Sequence, residues 1–271
     1  MMDKRVEMEP GRMRPHRRLA TALVGARQRL MRGRSHSVDP IWTPEMSRWL
    51  AVGLCLALIA SLTDAAAIRY VHGSQDAIIA FMAYITNVGK SQWFLVPAAL
   101  IFLAVGLLDW SRQGMRGKAR LSFLFGQAAY VFSAVALSGI FVNIVKVIFG
   151  RARPRLIDEV GPFHFDPFTF GYLHASFPSG HSTTVGAIVG IVMIWYPRWR
   201  LVTIELGLFF AATRIAAGAH YPSDVATGFL VGIFFSIVIA RWLASRGAVF
   251  RFVAGKVLPV PAATIARKSR T

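Results

Sequence analysis

Apolar residues in this chain come in long blocks, not in the alternation of a half-buried strand. Six blocks run over about 49–69, 91–109, 122–149, 182–196, 200–218 and 223–243. Each is near the ~20 residues that carry a helix across ~30 Å of hydrocarbon, although the fourth is short. Lipid offers backbone N–H and C=O groups no partner, so blocks of this kind are helical. The pattern predicts an all-α fold: a polytopic membrane helix bundle with six transmembrane helices over 48–244, between tails 1–47 and 245–271. A further apolar run within 71–90, opening at Asp76, is too short to span and fits a helix lying at the interface.

Polar positions between the blocks set the orientation. Basic residues gather in the first tail, in the loop with Arg112, Arg116, Lys118 and Arg120, in the link with Arg198 and Arg200, and at the end of the last block and beyond it, at Arg241, Arg246, Arg251 and Lys256. Six alternating spans put all of these on one side, and the excess of Lys and Arg marks it as cytoplasmic. Both termini are then cytoplasmic. Segments 70–90, 150–181 and 219–222 face the other side. Trp49, Trp93, Trp110, Trp195, Trp199 and Trp242 fall at block ends, as an interfacial aromatic belt requires.

Composition agrees with this picture. Of 271 residues 55% are hydrophobic and 16% charged, against roughly a quarter charged in soluble domains. The formal charge of +18 is topological in this reading, and without a reader motif no nucleic-acid partner is expected. The single cysteine, Cys55, lies in an apolar run and excludes an internal disulfide or cysteine-zinc site. Residues 1–47 carry many arginines but no apolar core, unlike a cleavable signal. Residues 16–34 suit either a basic amphipathic helix on anionic lipid or a simple charged tail.

Three clusters carry candidate chemistry. The first is Lys146 followed by Arg153-Pro154. The second is Phe177-Pro178-Ser179-Gly180-His181. The third runs from Thr213-Arg214 to His220 and Asp224. Each has an ordinary reading: snorkelling cations at a helix end, a helix cap at Ser179, an acid in a first helical turn at Asp224. Arg214 fits no such reading, because an ionisable residue in an apolar block is costly.

The alternating topology brings all three clusters to one membrane face. There Lys146, Arg153 and Arg214 suit an anion with several oxygens, the arginines as planar forks and the lysine as a point charge. Ser179-Gly180 at a helix start adds backbone N–H groups. Asp224, one helical turn beyond His220, can orient that ring and leave its other nitrogen free to attack. His181 can then protonate the leaving oxygen. With three side-chain cations to stabilise the transferring phosphoryl group, no metal or other cofactor is expected.

These residues resemble the three-part signature of the type-2 phosphatidic acid phosphatase superfamily: Lys-x6-Arg-Pro at Lys146 to Arg153-Pro154, Pro-Ser-Gly-His at 178–181, and Ser-Arg-x5-His-x3-Asp at 213–224, with Thr213 in the serine position. The resemblance implies His220 as nucleophile with Asp224 behind it and His181 as acid. Lys146, Arg153, Ser179, Gly180 and Arg214 would bind phosphate. It also implies a lipid phosphate or pyrophosphate substrate, taken at the periplasmic face of a bacterial inner membrane. Candidates are lipid A phosphate, undecaprenyl pyrophosphate, phosphatidylglycerol phosphate and phosphatidic acid. A lipid-to-lipid phosphotransferase with the same site, or a transporter with intramembrane charges, are the competing readings, and the oligomeric state stays open. Outside the signature, Arg151 and Arg155 suit a second phosphate or a lipid surface. His164 and His174 suit a headgroup or a merely solvated loop. Asn143 suits an interhelical bridge. Asp64 suits a position near the membrane exit or a pairing inside the bundle.

Overall fold

The computed structural model describes residues 18–25 and 39–262. Most of the first tail and the end of the second lie outside the described residues. Of the proposed basic helix over 16–34, only 18–25 is described, and it is helical (α1). The helices that follow are α2 Pro44–Ser61, α3 Asp64–Gly73, α4 Ala77–Ile85, α5 Gln92–Leu107, α6 Met115–Phe149, α7 Ile157–Val160, α8 Gly180–Trp195, α9 Arg200–Ala216 and α10 Pro222–Ser245. A two-stranded antiparallel hairpin, β1 Phe250–Arg251 and β2 Val260–Pro261, follows them.

All six apolar blocks fall on helices. Among the described residues, three stretches are long and apolar enough to cross a membrane: Ala77–Leu107, Met115–Phe149 and Pro222–Ser245. A fourth appears if α2 and α3 count as one span bent by 54°. The helices of the fourth and fifth blocks are shorter, 16 residues in α8 and 17 in α9.

Two departures from the sequence pattern have local causes. The first block breaks at 62–63, where Ser61 and Thr63 turn their hydroxyls back onto the carbonyls of Leu58 and Ala60 at 2.6 and 2.7 Å, a bond that competes with the helical ladder. The break restarts the chain at Asp64, which is completely buried. The short apolar run after Asp76 does not end on its own. Asp76 caps α4 through Ile78 N at 2.8 Å, and the 3-10 turn Thr86–Gly89 leads α4 on into α5 as one apolar stretch.

The centre of the bundle is the crossing of α8 on α10, where small residues allow the backbones to meet. A Cβ on Gly232 would stand 2.1 Å from Thr183 O, and one on Gly186 would stand 2.1 Å from Phe229 O. This crossing sets the start of α8 beside the start of α10; Ser179 N donates to Asp224 O at 3.0 Å. At the far end of α10, buried Arg241 donates to the carbonyls of Pro40, Ile41 and Val257 and lies over Phe252. It thereby ties both flanking segments to the bundle.

Candidate active site

The loop from 150 to 179 begins where α6 stops. Gly150 adopts φ +57° and returns its N–H to Lys146 O at 2.8 Å, a left-handed helix stop that favours glycine. A Cβ there would fall 1.7 Å from Asp166 O, because the loop folds back over the helix end. Ala152 N donates to His164 O, Arg153 N to Leu173 O and Ser176 N to Arg151 O, at 3.0, 2.8 and 3.0 Å. The arginine segment is thus fixed by main-chain bonds before any side chain is considered.

Lys146 and Arg153 both use this frame. Lys146 Nζ donates to Ala175 O at 3.1 Å, and Arg153 Nη2 donates to the same carbonyl at 3.2 Å. Arg153 also donates to Tyr172 O at 2.8 Å and Ala219 O at 3.3 Å, with the Tyr172 ring 3.8 Å from its guanidinium carbon. Arg153 is therefore bonded both to its own loop and to the turn that carries His220. Ser179 caps α8, accepting from Ser182 N and Ser182 Oγ at 3.4 and 2.9 Å. Gly180 opens that helix, its Cβ position 4.0 Å from Lys146 Nζ. An anion beside Lys146 would meet the positive end of α8.

Arg214 lies in the last turn of α9, with Nη1 donating to Thr86 Oγ1 at 3.1 Å. The Thr86 and Thr213 hydroxyls are 3.1 Å apart, and Thr213 donates to Phe210 O at 2.6 Å. The hydroxyl of Thr213 is thus part of the support for Arg214. Next to Thr86, Gly89 packs on His181: a Cβ there would be 3.5 Å from His181 Cβ and Cδ2.

His220 lies in the turn before α10 and is almost wholly buried. Its Nδ1 faces Asp224 Oδ2 at 3.7 Å, an ion-pair distance but too long for a hydrogen bond. The reason is that Asp224 is already occupied. Oδ2 accepts from Ser176 Oγ at 2.6 Å and from Tyr221 N at 3.0 Å, and Oδ1 accepts from Arg151 Nη1 at 2.6 Å. Burial pushes the His220 imidazole down to about 4, against the opposing pull of Asp224. The ring is neutral at ordinary pH.

Two buried side-chain nitrogens at this place, His181 Nε2 and Arg214 Nε, have no hydrogen-bond partner among the described residues, while the unbonded His220 Nδ1 faces Asp224. Buried polar groups are almost always paired, so orphans from two neighbouring helices suit an added ligand with several oxygens. The sequence-predicted set of Lys146, Arg153, Ser179, Gly180, His181, Arg214, His220 and Asp224 is gathered at one end of the bundle, where α6, α8, α9 and α10 meet.

Several surrounding residues escaped the motifs. Ser176 and Thr86 hold Asp224 and Arg214, yet serine and threonine in a loop carry no signal of their own. Arg151 does not face a second phosphate or lipid. It is buried and paired with Asp224 and with Asp64, 2.6 and 2.7 Å away. Asp64 accordingly pairs inside the bundle. His164 and His174 place their ring centres 6.3 Å apart. His164 O accepts from Ala152 N, and Arg153 bonds to Tyr172 O and Leu173 O in the turn that ends at His174.

Comparison with known proteins agrees with the motif resemblance. Residues 127–248 match the model of the PAP2 superfamily. Two lipid A 1-phosphatases, from Rhizobium johnstonii and Rhizobium etli, are each 36% identical over 167 residues. That stretch is 62% of this chain and 68% and 72% of theirs. The crystal structure of a transmembrane PAP2-type phosphatidylglycerolphosphate phosphatase from Bacillus subtilis superposes with a TM-score of 0.40 at 18% identity, covering 70% of this chain and 93% of that one. On its sequence, the chain belongs to the PAP2 superfamily.

Proposed function

We propose that the chain is a membrane lipid phosphatase that works without a metal, through a phosphohistidine, at the extracytoplasmic face. His220 Nε2 attacks phosphorus while Asp224 steadies the positive charge that grows on the ring. The bond from phosphorus to the lipid oxygen breaks, and His181 gives that oxygen its proton. Bound phosphate, an anion beside the ring, favours the protonated His181 this requires. Lys146, Arg153 and Arg214, with the N–H groups that open α8, take the charge on the three remaining oxygens. Neutral His181 then removes a proton from water, the hydroxide displaces His220, and inorganic phosphate leaves.

The observation that carries this reading is the gathering of three cations and two histidines around the buried, unpartnered His181 Nε2 and Arg214 Nε, with a carboxylate behind His220. The choice of lipid rests on the relatives: two proteins named lipid A 1-phosphatase share 36% of their aligned residues with this chain. Lipid A 1-phosphate is therefore the first substrate to try, ahead of undecaprenyl pyrophosphate, phosphatidylglycerol phosphate and phosphatidic acid.

The test is phosphate release from these four lipids in detergent with EDTA, by wild type and His220→Ala. Release from lipid A that resists EDTA and vanishes in the variant is expected. Release only when an acceptor lipid is added makes the chain a phosphotransferase, and no release from any lipid favours a transporter. A reporter fused after residue 165 should read as extracytoplasmic; a cytoplasmic signal overturns the orientation.

A further inference from the structure

Behind the acid that faces His220 lies a charge chain that the three motifs do not contain. Arg151 spends every N–H it has. Nη1 donates to Asp224 Oδ1 at 2.6 Å and Ser223 Oγ at 2.8 Å. Nη2 donates to Asp64 Oδ2 at 2.7 Å and Pro162 O at 2.8 Å, and Nε to Pro162 O at 3.1 Å. The Tyr221 ring lies 4.3 Å from the guanidinium carbon. Asp64 closes the arrangement, accepting from Ser223 N at 3.0 Å and Ser223 Oγ at 2.6 Å. Asp64, Arg151 and Asp224 are buried to within 2% of complete exclusion.

An isolated ion pair in such a place contributes little stability relative to an apolar replacement, so stability alone is a weak account of it. Its connections are more informative. The order Asp64, Arg151, Asp224, His220 alternates negative, positive, negative and titratable, and it joins α3, the 150–179 loop and the start of α10. Arg151 draws on the same carboxylate that faces the imidazole, and Asp64 draws Arg151 the other way.

We propose that Arg151 and Asp64 are positioning residues that set the charge Asp224 presents to His220, and so set the pH at which the nucleophile becomes available. Their relation to catalysis rests on the function proposed above; their effect on the His220 ring does not. Removing the cation leaves Asp224 more negative towards the ring, so His220 holds its proton to higher pH. Removing the Asp64 charge leaves Arg151 more fully on Asp224, so His220 holds its proton less well. The two substitutions act in opposite directions, which loss of packing alone does not produce.

The test is deuterium exchange at the C2 carbon of the His220 ring, followed by mass spectrometry across pH in the full-length protein. This measures the titration midpoint whether or not the preparation is active. Arg151→Gln should raise the midpoint by about one pH unit, the size of effect a neighbouring charge commonly has. Arg151→Lys, which keeps the charge, should return it towards wild type, and Asp64→Asn should lower it below wild type. Midpoints unchanged in all three, or raised equally by Arg151→Gln and Asp64→Asn, overturn the proposal. If Arg151→Gln fails to fold, Asp64→Asn decides: a midpoint that it does not lower overturns the proposal. Phosphate release by wild type, measured alongside, tests the proposed function separately.

Discussion

Asp224 faces His220 without hydrogen-bonding it: 3.7 Å separates Oδ2 from Nδ1, while Ser176 Oγ holds the same oxygen at 2.6 Å. The carboxylate is fixed by Ser176, the Tyr221 N–H and Arg151, so its position does not depend on the ring. A histidine that becomes positively charged during attack can close on a carboxylate already in place, as catalytic hydrogen bonds often tighten only with substrate bound.

Two substitutions separate the charge from its support. Asp224→Asn removes the anion at nearly constant shape and should lower kcat on the order of a thousandfold or more. Ser176→Ala removes one of several donors to a charged group and should lower kcat about tenfold. Steady-state kinetics on one lipid substrate checks both. Equal losses for the two variants contradict this division.

Arg214 should depend on Thr86. Arg214→Ala removes a cation that the proposed mechanism sets against the transferring oxygens, with an expected loss of ~10² to 10³ in kcat. Thr86→Val keeps the shape but takes away the only acceptor seen for Arg214 Nη1 among the described residues, and about a tenfold loss is expected. In the double variant the Thr86 effect should disappear, because its target is gone. Additive losses mean that Thr86 acts elsewhere.

The depressed His220 imidazole gives a pH dependence of stability with a definite sign. The unfolded ring protonates near 6.5, the folded one only near 4. Unfolded chain therefore binds the extra proton first, and stability falls as pH drops from 6.5 towards 4. Melting temperature in detergent should fall over that window more steeply in wild type than in His220→Gln. Parallel curves exclude His220 as a source of the slope.

Much of the site was legible from sequence, for a physical reason. A phosphoryl group needs cations, a nucleophile and an acid of few chemical types, and hydrophobic blocks fix which loops share a membrane face. The eight motif residues gather accordingly. The rest was hidden by contacts between distant parts of the chain. Nothing local marks Asp64 as the partner of Arg151, 87 positions away, although a charged residue in an apolar block does signal some partner. The pairing followed from the break at 62–63, where hydroxyls defeat a helix that hydropathy reads as continuous. The run over 77–85 is by itself too short to span, yet a 3-10 turn carries the chain on into α5.

His181 should matter in proportion to the leaving group. His181→Asn removes the acid and keeps a side chain of similar polarity. Release from a lipid alkoxide, a poor leaving group, should fall by ~10² or more, whereas p-nitrophenyl phosphate should lose much less. Equal losses on both substrates argue against proton donation by His181.

Rapid quenching of turnover under alkaline conditions, followed by mass spectrometry of the peptide that holds residue 220, tests the central claim most directly. A base-stable, acid-labile phosphoryl group on His220, formed with lipid substrate and absent in His181→Asn/His220→Gln, is the expected result. Full turnover with no phosphoryl group on His220, or with one on His181 instead, would contradict it.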